Sequence, residues 1–157
     1  MRHSALLSVF LVATFVGAPI QATACTCTAP SLVDSWNSSA LIFVGTVSEM
    51  TVITSGTLSG FTIVTFAPTK IWKGEVDTAS ARVLNPNHDG LCGYHFVLGE
   101  QYLVYADMSV GNDGWLRTSI CTRTSGYFEG HLDISFLESV VSVEEKSWSL
   151  VKKLFAD

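Results

Sequence analysis

Two cysteines one residue apart, Cys25 and Cys27, follow a run of small residues and carry the strongest chemical signal in the chain. If an export signal is cut after Ala24, Cys25 begins the processed protein and carries a free α-amine. A neutral α-amine and the carbonyl oxygen of the same residue form a five-membered chelate that can displace water from a catalytic zinc. An ordinary α-amine titrates near pH ~8, so its deprotonation near neutral pH costs only about 1 kcal/mol.

All four cysteines of the chain lie after residue 24: Cys25, Cys27, Cys92 and Cys121. An even count in an exported protein predicts disulfides. Four cysteines allow three pairings, and a bond between Cys25 and Cys27 would close a very tight ring, so we expect both to bond to distant partners. A zinc site or a reactive thiol is the alternative, but the chain lacks the paired C-x-x-C spacing of structural zinc.

Two further groups of residues invite a chemical interpretation. Cys92 with His95 would suit a hydrolase, yet Cys92 is expected in a disulfide and His95 stands between aromatic residues. His88, Asp89 and Asp113 could bind a metal, but they occupy turn positions where such side chains usually serve the backbone. We therefore expect neither an enzymatic site nor a bound cofactor.

Residues 1–24 have the pattern of a secretory signal peptide: a short polar start, apolar residues 5–16, and Ala22 and Ala24 in the A-x-A cleavage pattern. The apolar run is too short for a comfortable membrane span, which weakens the alternative of a retained anchor. A bacterial lipoprotein signal is a second alternative, because a cysteine directly follows the expected cut. We expect a secreted protein, extracellular or periplasmic, with no membrane span.

Removal of residues 1–24 leaves 133 of the 157 residues, enough for one domain with its own core and too few for two. The loss of Arg2 changes the formal net charge from −5 to −6. Such an acidic domain lacks the basic surface that phosphate groups require, which argues against nucleic acid as a partner. We expect residues 25–157 to form a single domain and to be monomeric.

The elements that position these residues are mainly strands. Segments rich in β-branched and aromatic residues predict five of them, over residues 40–53, 61–72, 81–84, 101–107 and 115–121. Gly45 predicts a bulge in the first strand, and Pro68 places the second at an edge or a bulge, because proline cannot donate to a ladder. Helices do not alternate with these strands, so we expect a small antiparallel barrel.

Helices are expected to flank this barrel, in an all-β fold class. Residues 31–39 have apolar side chains at helical spacing, which predicts a short helix after Pro30. In the tail, residues 126–157, apolar side chains recur every three or four positions in two runs: Leu132, Phe136 and Val140, then Trp148, Val151 and Phe155. This period predicts a C-terminal extension of two helices.

Six short segments follow one another in a recognisable order. They are Cys25-Thr26-Cys27, Phe43-Val44-Gly45-Thr46-Val47-Ser48, Lys70-Ile71-Trp72-Lys73-Gly74, Leu91-Cys92-Gly93, Gly99-Glu100-Gln101-Tyr102-Leu103-Val104 and Thr118-Ser119-Ile120-Cys121. As an ordered set they resemble the N-terminal domain of the tissue inhibitors of metalloproteinases. That domain is netrin-like, so the resemblance implies a five-stranded barrel of the OB type with flanking helices.

The resemblance also implies a disulfide pairing and a mechanism. Cys25 would pair with Cys92, and Cys27 with Cys121, which would fix the N-terminal segment beside residues 88–91. Cys25 would then chelate the catalytic zinc of a target metalloproteinase. The zinc would belong to that target, and the inhibitor would need no cofactor of its own.

The other contacts implied by the resemblance lie on both sides of that zinc. Thr26 would enter the pocket for the substrate side chain after the scissile bond, and its stiff β-branched side chain would lose little rotamer entropy. The remaining target-binding residues would be Cys27, Thr28, Ala29, Pro30, Gly90 and Leu91.

The chain departs from the family pattern because it lacks the third cystine of that domain and the cysteine-rich C-terminal domain. The alternative function is a non-inhibitory exported netrin-like module, with or without a lipid anchor. A barrel face near Trp72 or Trp115 would then hold a protein or a glycan. The free amine of Cys25 separates the two hypotheses, because only the inhibitor needs it.

Overall fold

The computed structural model describes residues 25, 27–28, 30–77, 79–87, 92–108, 114–130 and 132–142. In chain order the elements are α1 (Leu32–Ser38), β1 (Leu41–Val52), β2 (Phe61–Lys73), β3 (Ala81–Pro86), β4 (Gln101–Met108), β5 (Leu116–Arg117), β6 (Ser125–Gly126) and a helix, α2, over residues 132–142. The second helix expected in the tail, around Trp148, Val151 and Phe155, lies outside the described residues.

The strands close into a five-stranded barrel in the order β1-β2-β3-β5-β4, and β4 returns to pair with β1. This is the strand order of the OB type, so the predicted fold class is confirmed. Neighbouring strands are antiparallel except for β3 and β5, which pair in parallel through Leu84 and Arg117. The short strand β6 pairs with β4 at Tyr102 and Leu103.

The barrel interior is built by alternation along its strands. In β2, Thr62, Val64 and Phe66 are buried, whereas the residues between them are half-buried. Phe66 makes edge-to-face contacts with Phe43 and Phe96, each with ring centroids 5.3 Å apart. Burial of each such aromatic or aliphatic side chain contributes about 1.5–3 kcal/mol, so this cluster supplies much of the stability.

Gly45 and Pro68 mark the irregularity that the sequence predicts in the first hairpin. The register between β1 and β2 shifts between Val44 and Gly45, and Gly45 lies opposite Pro68. A Cβ at Gly45 would come within 3.0–3.1 Å of the Phe43 ring and of the facing strand, so a larger residue would have to push these neighbours apart. Pro68 lies beyond the part of β2 that pairs with β3, so at this position β2 has a strand partner in β1 alone among the described pairings.

The fifth strand is much shorter than predicted: residues 115–121 were expected to be extended, and only Leu116–Arg117 pairs as a strand. After it, hydroxyl groups replace the ladder. The side chain of Thr118 bonds to those of Thr122 and Thr124 at 3.1 and 2.6 Å. Local bonding by threonine side chains offers the backbone an alternative to sheet pairing, which explains the early end of β5.

A second layer covers the outer face of β1 and β4. Tyr105 and Leu103 of β4 pack there with Leu137 of α2, which is fully buried. The helix predicted from Leu132, Phe136 and Val140 is present, and Phe136 packs against this layer, whereas Leu132 is 80% exposed. The helix instead turns Asp133 and Leu137 toward the barrel. Within the described part of the chain, no helix is long and apolar enough to span a membrane.

Candidate functional site

Disulfides fix the N-terminal segment, residues 25–30, at two positions. Cys25 is bonded to Cys92 and Cys27 to Cys121, across sequence separations of 67 and 94 residues. These are the two pairings that the family resemblance implies. All four cysteines are thereby oxidised, so in this state Cys92 cannot act with His95 as a hydrolase nucleophile and no thiolate is left for a zinc site.

The two anchor points on the barrel are themselves held together. The backbone N–H of Ile120 donates to the carbonyl oxygen of Cys92 at 3.0 Å, which ties one anchor to the residue preceding the other. The side chain of the buried Asn85 bonds to both backbone groups of Tyr94, at 2.8 and 2.9 Å. The chain after Cys92 is therefore bonded to β3, and the segment rests on a rigid base.

Arg123 provides a third attachment that the sequence did not reveal. Its Nη1 donates to the carbonyl oxygen of Pro30 at 2.8 Å. Its Nε and Nη2 donate to the two carboxylate oxygens of Asp133 at 2.8 and 2.7 Å. One guanidinium group thus links the N-terminal segment to α2.

The carboxylate of Asp133 is buried and accepts a further bond from the hydroxyl of Tyr105, at 3.2 Å. Burial raises the pKa of Tyr105 well above its ordinary value, and the Asp133 charge raises it further. Hydrogen bonding to Asp133 raises the pKa of Arg123. A bidentate pair with its remaining lone pairs satisfied is the arrangement in which a buried carboxylate is tolerated.

The described residues of this segment are all at least partly exposed. Cys27 and Thr28 are exposed, and Cys25 and Pro30 are half-buried. Directly after Pro30, the Ser31 side chain accepts a bond from the Asp34 N–H and caps α1, so the segment leads straight into a helix. A partner can therefore approach a segment whose two ends are both fixed.

Several residues predicted for the site lie outside the described residues, so their positions stay predictions. They are Thr26, Ala29, Gly90 and Leu91 among the target contacts, and His88, Asp89 and Asp113 among the metal-ligand alternatives. Across the described ranges, no group of three or more His, Cys, Asp or Glu residues lies together in a way that could hold a metal ion.

The two tryptophans considered for a binding face lie in different surroundings. Trp72 is half-buried against the second layer and lines a cavity of about 230 Å³ beside the ion pair of Lys70 and Glu138. Trp115 is half-buried under the guanidinium of Arg82, at 5.4 Å from the ring centroid.

No protein-family model matches this sequence, and no curated protein is significantly similar to it.

Proposed function

We propose that this protein is an exported inhibitor of zinc metalloendopeptidases that binds the target's catalytic zinc through the α-amine and carbonyl oxygen of Cys25. The observation that carries the proposal is the double anchoring of the N-terminal segment: residues 25 and 27 are each disulfide-bonded, and the described residues between Cys27 and α1 (Thr28, Pro30 and Ser31) are partly or fully exposed. Thr26 would enter the target's substrate pocket.

To bind the zinc, the inhibitor needs only to place the amine nitrogen and carbonyl oxygen of Cys25 at the metal. A catalytic zinc keeps one coordination site for water or substrate, and an amine nitrogen with its own carbonyl oxygen can fill it. The half-buried state of Cys25 and the exposure of Cys27 and Thr28 are compatible with entry of the segment into a cleft. The metal would be the protease's, so the inhibitor would carry no cofactor.

Rigidity is what would make so short a segment bind tightly. Closing loops of 67 and 94 residues restricts the unfolded chain, and each disulfide contributes roughly 4–5 kcal/mol on the chain-entropy model. The bond from Arg123 to the Pro30 carbonyl fixes the far end of the segment. A segment that is ordered before binding loses little conformational entropy on binding, and its affinity for the target is therefore higher.

Export is part of the proposal. Two disulfides that use all four cysteines are typical of proteins that mature in an oxidising compartment. Intact-mass spectrometry of the protein recovered from a producing cell tests this directly. The expected mass is that of residues 25–157 with four fewer hydrogens. A mass that includes residues 1–24 or an acyl group would show that the nitrogen of Cys25 is not a free amine. That result would contradict the inhibitor proposal.

The mechanism is tested by adding one alanine before Cys25 in the processed protein. The extended protein should fold with the same thermal unfolding midpoint and both disulfides, and it should lose inhibition of zinc endopeptidases that the parent protein inhibits. The matched control carries one extra alanine after Asp157 and should inhibit normally. Retained inhibition by the N-terminally extended protein would refute chelation by Cys25.

The pocket assignment is tested separately with Thr26→Gly. We expect weaker inhibition of several endopeptidases and an unchanged unfolding midpoint, because the side chain would contact the target rather than the barrel. Unchanged inhibition across the panel would argue against the assignment of Thr26 while leaving the chelation mechanism standing. An exported binding module without inhibitory activity is the outcome if no endopeptidase is inhibited even though the amine is free.

A further inference from the structure

An open groove of about 330 Å³ lies between the chain after Cys92, the start of β4 and the turn before α2. Its walls are aromatic, and four rings contribute to them: Tyr94, Tyr102, Tyr127 and Phe128. These residues are brought together only by the fold, because the strand pair of β4 and β6 places Tyr102 opposite Gly126. The N-terminal segment contributes none of the described lining residues.

The inner wall of the groove is fixed by packing. Tyr102 is buried and makes an edge-to-face contact with Tyr94, with ring centroids 5.7 Å apart. Its hydroxyl oxygen accepts the Val97 backbone N–H at 3.0 Å. The inner wall therefore keeps its shape when the groove is empty, and a ligand would not have to order it.

The outer wall is an aromatic rim that the folded chain leaves open. Tyr127 and Phe128 meet edge to face, with centroids 5.8 Å apart, and 92% of the Phe128 surface is exposed. Val97, at 45% exposure, also lines the groove, and its chain neighbour Leu98 is 64% exposed. Apolar side chains exposed around one groove indicate a surface that a partner covers.

The charge of the groove is negative. Glu100 and Glu129 line it, and none of its described lining residues is a lysine or an arginine; His95 is the other titratable side chain apart from the tyrosines. The Glu129 carboxylate reaches toward the tyrosine wall: burial raises the pKa of Tyr94, and the charge of Glu129 raises it further. Aromatic faces and carboxylates together favour a cation.

We propose that this groove binds an arginine side chain presented by an extended segment of a partner protein. A guanidinium group stacks its plane on aromatic rings and donates to carboxylates through a rigid fork of N–H groups, whereas an ammonium is compact and more strongly hydrated. Tyr94, Tyr127 and Phe128 supply the rings, and Glu100 and Glu129 supply the acceptors. The volume is at the lower limit of ligand pockets, which suits one side chain.

The occupant is argued from this charge complementarity and from the exposed apolar rim. Neighbouring residues of the partner segment would cover the exposed apolar side chains of Val97, Leu98 and Phe128. The proposal is independent of the inhibitor mechanism, because it uses no residue of the N-terminal segment. Each can fail while the other stands.

The test is an NMR titration of the ¹⁵N-labelled protein with the acetylated and amidated peptide Gly-Arg-Gly. The matched peptides place citrulline or lysine at the centre, since citrulline keeps the shape of arginine and loses its charge. We expect the arginine peptide to shift the amide signals of residues 100–101 and 126–129. Citrulline should bind about tenfold more weakly or not at all, and lysine about threefold more weakly.

Two variants and two matched controls locate the site. Glu129→Gln and Phe128→Ala should each weaken binding of the arginine peptide about threefold or more, through loss of a charge-assisted acceptor and of a ring face. Glu75→Gln and Leu132→Ala change an exposed carboxylate and an exposed apolar residue elsewhere and should leave binding unchanged. Unfolding midpoints check that all four proteins fold.

Three results would overturn the proposal. Equal binding of the arginine and citrulline peptides would exclude recognition of charge. Equal binding of the lysine peptide would exclude an arginine-specific site. Shifts confined to residues outside the groove, or binding unchanged in both Glu129→Gln and Phe128→Ala, would exclude the location.

Discussion

The N-terminal segment and helix α2 both lie outside the barrel, and they are held to it by opposite means. The segment is attached by two disulfides and one hydrogen bond, and its Cys27 and Thr28 remain exposed. The helix is attached by the fully buried Leu137 and by an ion pair to Asp133. Arg123 touches both regions.

The contrast shows what covalent attachment makes possible. A helix that is held by packing must bury its apolar side chains against the barrel, so those side chains cannot contact a partner. A segment held by disulfides is attached through cysteine side chains, and Thr28 after them remains exposed to a partner. Variants that each remove one attachment should separate loss of stability from loss of inhibition.

The largest effect is expected from Cys25→Ser with Cys92→Ser, which opens one disulfide and keeps the α-amine and carbonyl of residue 25. The free energy of unfolding should fall by about 4 kcal/mol on the chain-entropy model, measured by urea unfolding. Inhibition should be strongly reduced even where the protein is folded, because the chelating residue is no longer held. Full inhibition by this folded variant would show that anchoring of residue 25 is unnecessary.

Leu137→Ala should destabilise the protein by about 3 kcal/mol, because it leaves a cavity between α2 and the barrel. Inhibition by the folded fraction should be unchanged, which is the opposite pattern to that of the disulfide variant. Leu132→Ala is the matched control: 80% of Leu132 is exposed, so its loss should cost less than about 0.5 kcal/mol. Similar losses of unfolding free energy in the two leucine variants would contradict the observation that Leu137 is buried and Leu132 is exposed.

Arg123→Met tests the one group shared by the two regions. The Asp133 side chain is 8% exposed and that of Arg123 26%, so solvent screens the pair in part, and we expect a loss of about 2 kcal/mol. Inhibition should also weaken, because Pro30 loses its hydrogen bond. Adding Asp133→Asn should recover stability but not inhibition. If inhibition is recovered together with stability, Arg123 does not position the segment.

Tyr105→Phe should have the smallest effect, about 1 kcal/mol near neutral pH, because Asp133 keeps its bonds from Arg123. The raised pKa of Tyr105 gives this loss a pH dependence. In the unfolded chain tyrosine ionises near pH ~10, while the native hydroxyl stays protonated, so its stabilisation is complete below that pH and is lost above it. The difference between parent and variant should therefore shrink as pH rises above ~10. A constant difference would contradict the raised pKa.

Local sequence patterns predicted strand β2 and the irregular pairing between β1 and β2. The β-branched and aromatic residues of positions 61–72 predicted β2, and the special backbone requirements of Gly45 and Pro68 marked the irregular pairing with β1. The predicted length of the fifth strand was wrong because, after Arg117, threonine side chains form hydrogen bonds in place of sheet pairing. The β-propensity of single residues does not include this competition.

The polar and aromatic clusters depend on long-range contacts, so periodicity could not find them. Arg123, Asp133 and the Pro30 carbonyl come from three separate parts of the chain, and Asp133 looks like an ordinary surface residue of an amphipathic helix. Asp133 is buried while its neighbour Leu132 is 80% exposed, so the apolar period alone did not identify the face of α2 that packs on the barrel. The aromatic groove likewise joins Tyr94 to Tyr127 only in the folded barrel.

The central claim is that the nitrogen of Cys25 binds a protease's metal ion, and cobalt(II) spectroscopy tests it most directly. The zinc of an endopeptidase that the protein inhibits is replaced by cobalt(II), whose visible absorption depends on its ligands. Addition of the protein beginning at Cys25 should change that spectrum, and addition of the form with one extra N-terminal alanine should not. Inhibition without any change in the cobalt spectrum would contradict the account.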